Sequence, residues 1–247
     1  MLAGGLLVCS VSAAALAIPD TVQVSPDLEV IPLTDGVWRH RSWNVLGDGT
    51  RFPSNGLLVR DGDVLVLMDT AWGDSLTEAL LVWADSALAW PIARAIATHS
   101  HDDRVGGAAA LARRGIPLHV SPATHRRLSI ADAAHATMIR RLRSPGSTAR
   151  VGSLEVFAMG AAHAPDNIAV WLPGPRVLFG GCAVRAAASR SLGNLADADT
   201  LAWVDAIFRL SQRYGGARIV VPGHGEPGGP DLLGHTRSLL PRSTHSP

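Results

Sequence analysis

The sequence predicts an α/β protein in which two mixed sheets pack face to face with helices outside them, a four-layer αβ/βα sandwich. Three observations carry that expectation. Short strand-like runs and amphipathic helical runs alternate in two successive cycles, each β-rich first and helical afterwards. No Pro/Gly/Ser linker or low-complexity tract separates the cycles, so they belong to one folding unit. The chain has 247 residues, 47% of them hydrophobic, enough for one well-filled core.

From the N-terminus, residues 1–17 form an apolar stretch ending in Ala15-Leu16-Ala17, the small-x-small pattern that precedes a signal-peptidase cut. A single domain at 18–247 is then expected in the periplasm, its mature chain starting at Ile18. A competing lipoprotein signal would use Cys9, although bulky Val8 suits the preceding position poorly. Past this stretch, residues 28–33, 36–39, 55–60 and 64–68 read as strands, 75–88 as a helix and 93–98 as a buried strand running into His99. A helix over 107–114 closes the first cycle. In the second, 129–143 reads as helical, 154–158, 168–172 and 177–180 as strands, 200–214 as a helix and 218–221 as a strand. Loops are expected at 160–165 and 215–216 and around Gly223 and Pro227.

Charge excludes some classes of partner. The formal net charge is +1 with no basic run, so there is no electrostatic footprint for nucleic acid or an anionic membrane. After signal cleavage no remaining segment has the roughly 20 apolar residues needed to span a bilayer. A small-molecule partner is expected, and the absence of heptads favours a monomer. Every basic residue is Arg, so any cationic anchor for a substrate must be a guanidinium.

The chemistry sits at strand ends. His99, His101 and Asp103 leave one short loop in Thr98-His-Ser-His-Asp-Asp-Arg-Val-Gly-Gly, and in alternating geometry the three point the same way. An acidic, His-containing helix start is the competing reading of that segment, and the metal reading is favoured over it even for the segment alone. Three more candidates follow strands: His163 in Gly160-Ala-Ala-His-Ala-Pro-Asp-Asn, Cys182 after Val177-Leu-Phe-Gly-Gly, and His224 in Pro222-Gly-His-Gly. Their common position argues that they meet. His40, His119, His125, His135, His235 and His245 are read as structural. Six ligands exceed one tetrahedral zinc but divide into two sites of three, each with an open position. Three imidazoles suit one Zn2+, and a carboxylate, a thiolate and an imidazole suit a second. Zinc tolerates that mixture and does no redox chemistry with the thiol.

At this point the chain resembles the class B metallo-β-lactamases, specifically subclass B1 with its three-His and Asp-Cys-His sites, and most of all the Verona integron-encoded type. The resemblance covers nearly all of the mature chain. It rests on Phe52-Pro-Ser-Asn55, Leu67-Met-Asp-Thr-Ala-Trp-Gly, His99-x-His101-x-Asp103-Arg104-x-Gly-Gly107, Ala162-His163-x-Pro-Asp-Asn167, Phe179-Gly-Gly-Cys182, Gly193-Asn-Leu-Ala-Asp-Ala-Asp199 and Pro222-Gly-His-Gly-x-Pro-Gly-Gly229. It implies the family's four-layer fold and hydrolysis of β-lactam antibiotics (penicillins, cephalosporins, carbapenems), hence antibiotic resistance. It places His99, His101 and His163 on the first zinc and Asp103, Cys182 and His224 on the second. Relatives acting on lactones, thiol esters or RNA carry a histidine where this chain has Arg104, and they lack the Cys182 ligand.

The implied nucleophile is a zinc-bound hydroxide, since zinc lowers the pKa of bound water to about 7. Asp103 would help orient it, and Asn194 would donate to the developing oxyanion, unless Asn194 is only a turn residue. Asp69 and Arg104 would support the ligands from behind. Arg185 stands where many relatives use a lysine to hold the substrate carboxylate. Arg190 is a second candidate, and both compete with the reading of solvated loop charges. Trp43, in a segment 41–51 resembling a mobile hairpin, would cover apolar substituents or else pack in the core. Two other functions stay open from the residues: a lactone or ester hydrolase of the same fold, and a zinc-binding periplasmic protein without turnover.

Overall fold

The computed structural model describes residues 21–241. The expected signal at 1–17, with Cys9 and the start at Ile18, lies outside the described residues, as does His245. The first cycle runs β1 (Val22–Ser25), β2 (Leu28–Thr34), β3 (Val37–Val45), β4 (Arg51–Asp61), β5 (Val64–Met68), α1 (Gly73–Ala87), β6 (Ile92–Ile96), α2 (Asp102–Val105), α3 (Ala108–Arg113), β7 (Leu118–Val120), α4 (Pro122–His125), α5 (Ile130–His135) and β8 (Ala136–Met138). The second runs β9 (Thr148–Val151), β10 (Leu154–Ala158), β11 (Ile168–Leu172), β12 (Val177–Gly181), α6 (Thr200–Tyr214), β13 (Ile219–Pro222) and α7 (Asp231–Leu239).

The eight-stranded sheet keeps sequence order, β1 to β8, and the five-stranded sheet is ordered β13-β12-β11-β10-β9. Both are mixed. The first is antiparallel as far as β5 and parallel from β5 to β8, and in the second only β12 and β13 are parallel.

Side-chain alternation explains the layering. In β4 and β5, Leu57, Val59, Val66 and Met68 face the second sheet and meet Val156, Val170, Phe179 and Val221. Their neighbours Leu58, Leu65 and Leu67 face the other way, onto Leu80, Leu81 and Leu111 of α1 and α3. The second sheet repeats this, presenting Leu178 and Val220 to Trp203, Ile207 and Leu210 of α6. Strands buried on both faces read as near-continuous apolar runs, which is why Val64-Leu-Val-Leu-Met carries no alternation. The four layers are those expected.

Several elements differ from the sequence reading. The helix expected over 129–143 is only α5, and the chain turns extended at Ala136 to add β8 beside β7. The open edge of β7 offers backbone partners, and Ile139 N continues the ladder to Val120 O at 2.8 Å, so sheet pairing overrides helix periodicity. Ile130, which started the apparent apolar stripe, is 93% exposed. The hairpin of β3 and β4 is longer than expected and stays paired to Val45 and Arg51. The short strands β1, β7 and β9 and the helix α7 had no distinct signal.

Buried His40 on β3 links the fold to pH. Its Nε2–H donates to Asp69 O at 3.1 Å, while Nδ1 is buried without a partner. Burial lowers the ring from 6.5 to about 4. The unfolded ring takes up a proton below 6.5 and the folded ring only near 4, so the contribution is full above pH 6.5 and is lost as pH falls through 4. It amounts to on the order of 3 kcal/mol. Denaturant unfolding from pH 7 down to 4 should therefore show a shallower acid loss for His40→Gln than for the unsubstituted protein; parallel curves would remove this assignment.

Candidate metal centre

The six candidate ligands converge at one edge of the sandwich, beyond the carboxyl ends of the parallel strands β6, β12 and β13. His99 follows β6, and His101 is the residue before α2, whose first turn holds Asp103. Cys182 follows β12 after Gly181, whose φ of +56° turns the chain out of the sheet. His224 follows β13 after Gly223, where a Cβ would lie 2.6 Å from Cys182 N and 2.7 Å from its Sγ. Only glycine lets the two loops approach that closely. His163 sits between β10 and β11, in a loop closed by Ala164 N donating to Asn167 Oδ1 at 2.7 Å. Ile168 N donates to Thr98 O at 2.9 Å, which joins that loop to the His99 segment of the other sheet.

Donor atoms meet in three overlapping triads, each within 4.8 Å: His99-His101-Asp103, His99-His163-Cys182 and Asp103-Cys182-His224. Cys182 Sγ lies 3.2 Å from His224 Nε2 and 3.6 Å from Asp103 Oδ2, and His224 Nε2 lies 3.3 Å from that oxygen. The rings of His99, His101 and His163 pack edge to face with centroids 4.6 to 5.3 Å apart. His163 Nδ1 is buried without a protein partner, and the ring rests against Trp203 of α6.

One guanidinium organises the electrostatics. Arg104 is fully buried, donating Nη2–H to Asp103 Oδ2 (2.7 Å) and Gly223 O (3.0 Å), and Nη1–H to Asp69 Oδ2 (3.0 Å) and Asn55 O (2.6 Å). Asp69 also accepts from Thr98 N at 2.7 Å and Thr98 Oγ1 at 2.9 Å, from a backbone in the left-handed region at φ 55°. Burial raises Asp69 to about 6 against the pull of Arg104. Burial would also raise Asp103, but Arg104 and His224 outweigh it and hold the carboxyl well below its usual range. Burial pushes His99 well down and His163 to about 4, so both present neutral nitrogens. It pushes the Cys182 thiol well up, with Arg104 opposing, so that thiol becomes a thiolate readily only beside a cation. Neutral imidazoles, an ionised carboxylate and a thiol in mutual reach are the donor set of zinc.

The remaining candidates are placed differently. Asn194 lines a cleft of about 480 Å³ over the donors, its Oδ1 accepting from Ala196 N at 3.0 Å. Arg185 is half-buried outside that lining, its guanidinium against Gly193, and Arg190 is exposed and also outside it. Trp43 does not line the cleft, because its ring is held between the guanidinium groups of Arg41 (5.1 Å) and Arg51 (4.3 Å). The apolar wall is instead Leu46, Phe52 and Trp72. Phe52 and Trp72 stood inside recognised motifs, but nothing in the sequence assigned them a direction. Asp197 was also missed: its Oδ2 lies 2.9 Å from His101 Nε2, and its signal was an acidic residue three after Asn194.

The sequence model of the Metallo-beta-lactamase superfamily matches residues 49–224, the stretch that carries all six donors. The chain belongs to that superfamily. It is 38% identical over 215 residues to the metallo-beta-lactamase type 2 of Bacillus cereus, covering 86% of this chain and 82% of that one. With the type 2 enzyme of Bacteroides fragilis it shares 30% identity over 237 residues, covering 95% and 94%. Among solved structures it is similar to FIM-1 from Pseudomonas aeruginosa in its mono-zinc form, with TM-score 0.79, 36% identity and coverage of 90% and 97%. A metallo-beta-lactamase from Pontibacter korlensis gives TM-score 0.77 at 41% identity, covering 86% and 98%. The chain is thus an enzyme of the metallo-beta-lactamase family, and the family fold accounts for the four layers.

Replacing Arg104 by Met should cost about 3–5 kcal/mol in denaturant unfolding, because two buried carboxylates lose their cation. Adding Asp69→Asn should recover part of that loss; full stability of the single variant would show that the guanidinium does not hold this edge together.

Proposed function

We propose that this enzyme hydrolyses the amide bond of β-lactams, penicillins, cephalosporins and carbapenems among them, with two zinc ions. His99, His101 and His163 would hold one, and Asp103, Cys182 and His224 the other. The observation that carries the reading is Cys182, buried within reach of both His224 and Asp103 in a chain similar to enzymes named metallo-beta-lactamase. Within that family the recognised motifs favour subclass B1 and a likeness to the Verona integron-encoded type. Zinc when bound supplies a Lewis acid and acidifies water to a pKa of about 7.

The chain's own groups do the positioning. Arg104 holds Asp103 ionised through its Oδ2, and the carboxylate so fixed would orient the attacking water. Asn194 is held through Oδ1, which turns its amide N–H groups into the donor for the carbonyl oxygen as charge develops there. Asp197 fixes the ring of His101 from the solvent side, as outer partners of ligating histidines do. Leu46, Phe52 and Trp72 cover apolar substituents of the substrate.

A β-lactam also brings a carboxylate, and in a chain without lysine a guanidinium must receive it. Arg185 is our first choice for that role: its guanidinium stands against Gly193, the residue before the cleft-lining Asn194. Arg190 on the same loop is the second. Trp43 serves the hairpin tip by stacking with Arg41 and Arg51. We further propose export to the periplasm, supported by the Ala15-Leu16-Ala17 pattern, and a monomeric state. No helix among the described residues is long and apolar enough to cross a membrane.

The test is carbapenem hydrolysis by the protein beginning at Ile18, with added zinc, with chelator and as Cys182→Ser. Turnover that needs zinc, stops with chelator and falls by at least tenfold on substitution is expected. Two bound zinc ions without turnover of a carbapenem, a cephalosporin or a penicillin would overturn the reading and point to a lactone or ester.

A further inference from the structure

One face of the β3–β4 hairpin changes character along its length. Val37 and Val59 at one end enter the core between the sheets. At the other end the same face carries Arg39 and Arg41 on β3, and Asn55 opposite Arg41 on β4. All three polar residues reach the loop at 222–226 that holds His224. Asn55 Nδ2 donates to Pro222 O at 3.0 Å and Gly225 O at 2.6 Å, and Asn55 N donates to Gly223 O at 2.8 Å. Pro53 O of β4 accepts from His224 Nδ1 at 2.7 Å, with the Phe52 ring 4.7 Å from the imidazole.

Beyond Gly225 the loop is held by Glu226. Its Oε2 accepts from Arg39 Nη1 at 2.9 Å and its Oε1 from Arg41 Nη1 at 2.6 Å, while Arg41 Nε also donates to Glu29 Oε1 at 2.6 Å. An exposed ion pair contributes little. This pair is unequal: the Arg39 side chain is 5% exposed and Glu226 67%. Arg39 makes no other side-chain hydrogen bond among the described residues, and its Nε is buried without a partner. Removing the glutamate therefore leaves a buried cation without its hydrogen-bonded carboxylate, with Glu29 the remaining opposite charge near it, and that cost is relieved by moving the guanidinium or the loop beside it.

We propose that Glu226 is a positioning residue: paired with Arg39 and Arg41, it fixes the loop on the far side of His224 and so sets the affinity of the Asp103-Cys182-His224 set for its metal. His224 is flanked by Gly223 and Gly225, whose backbones constrain the ring little, so both sides need a tether. Arg104 holds the near side, Asn55 bridges Pro222 O and Gly225 O across the histidine, and Glu226 anchors the chain beyond Gly225. The inference rests on the zinc assignment above and adds a specific consequence, namely that occupancy of the two sites depends on different residues.

The experiment titrates metal-free protein with zinc against a chromophoric chelator, and with Co2+ while following the thiolate-to-cobalt absorption of Cys182. Glu226→Gln should bind the first equivalent as the unsubstituted protein does and the second about 10–100-fold more weakly. The thiolate absorption should saturate at correspondingly higher cobalt, and Glu226→Asp should restore most of the loss. Should Glu226→Gln fail to fold, Arg41→Gln, which keeps the Arg39 pair, should show a smaller loss confined to the second equivalent. Unchanged affinity in these variants, or equal weakening of both equivalents, would overturn the proposal. An unsubstituted protein that takes up no metal would instead overturn the zinc assignment beneath it.

Discussion

The arrangement depends on a cation with no access to water. Arg104 donates to a carboxylate at the end of β5, to another in α2, to a carbonyl of β4 and to a carbonyl just past β13. Those four acceptors belong to both sheets. Burying a guanidinium is costly, and only the two carboxylates together make it tolerable. In return each carboxylate is held in one orientation, and Asp103 stays ionised in an interior that would otherwise protonate it. The functional edge of the sandwich and its internal cohesion are thus one network.

That network explains how residues scattered from position 99 to position 224 come to act together. Parallel strands end side by side, so the loops after β6, β12 and β13 leave the sheets in the same direction. Glycines at 181 and 223 let these loops approach more closely than any side chain would permit. Burial keeps His99 and His163 neutral, which suits them to ligate, while Asp197 holds His101 from the open side. Rigid strands supply the precision and the loops supply the chemistry.

Much of this was legible from residue order. Each donor lay directly after a strand signal, and strands buried on both faces announced themselves as apolar runs, so the layers and the convergence of six donors followed. What escaped was whatever long-range contact decides. The segment after α5 carries helical periodicity yet pairs with β7, because an open sheet edge offers backbone partners that local preference does not weigh. Trp43 reads as a cleft aromatic, but Arg41 beside it on β3 and Arg51 across the hairpin on β4 stack on its ring away from the cleft, a pairing that residue order does not weigh. Trp72 and Phe52 form the cleft wall through the path of the backbone around them, which spacing does not encode. Arg104 is legible as a support behind the ligands and as a departure from histidine, but its four partners needed three dimensions.

The burial of Cys182 has a practical side. It is the only thiol among the described residues, it is fully enclosed, and its proton is held tightly. A thiol reagent in solution meets it only when the loops carrying Asp103 and His224 part. The rate of alkylation therefore reports how large a share of molecules has that edge open, giving a built-in gauge of its breathing that needs no added label.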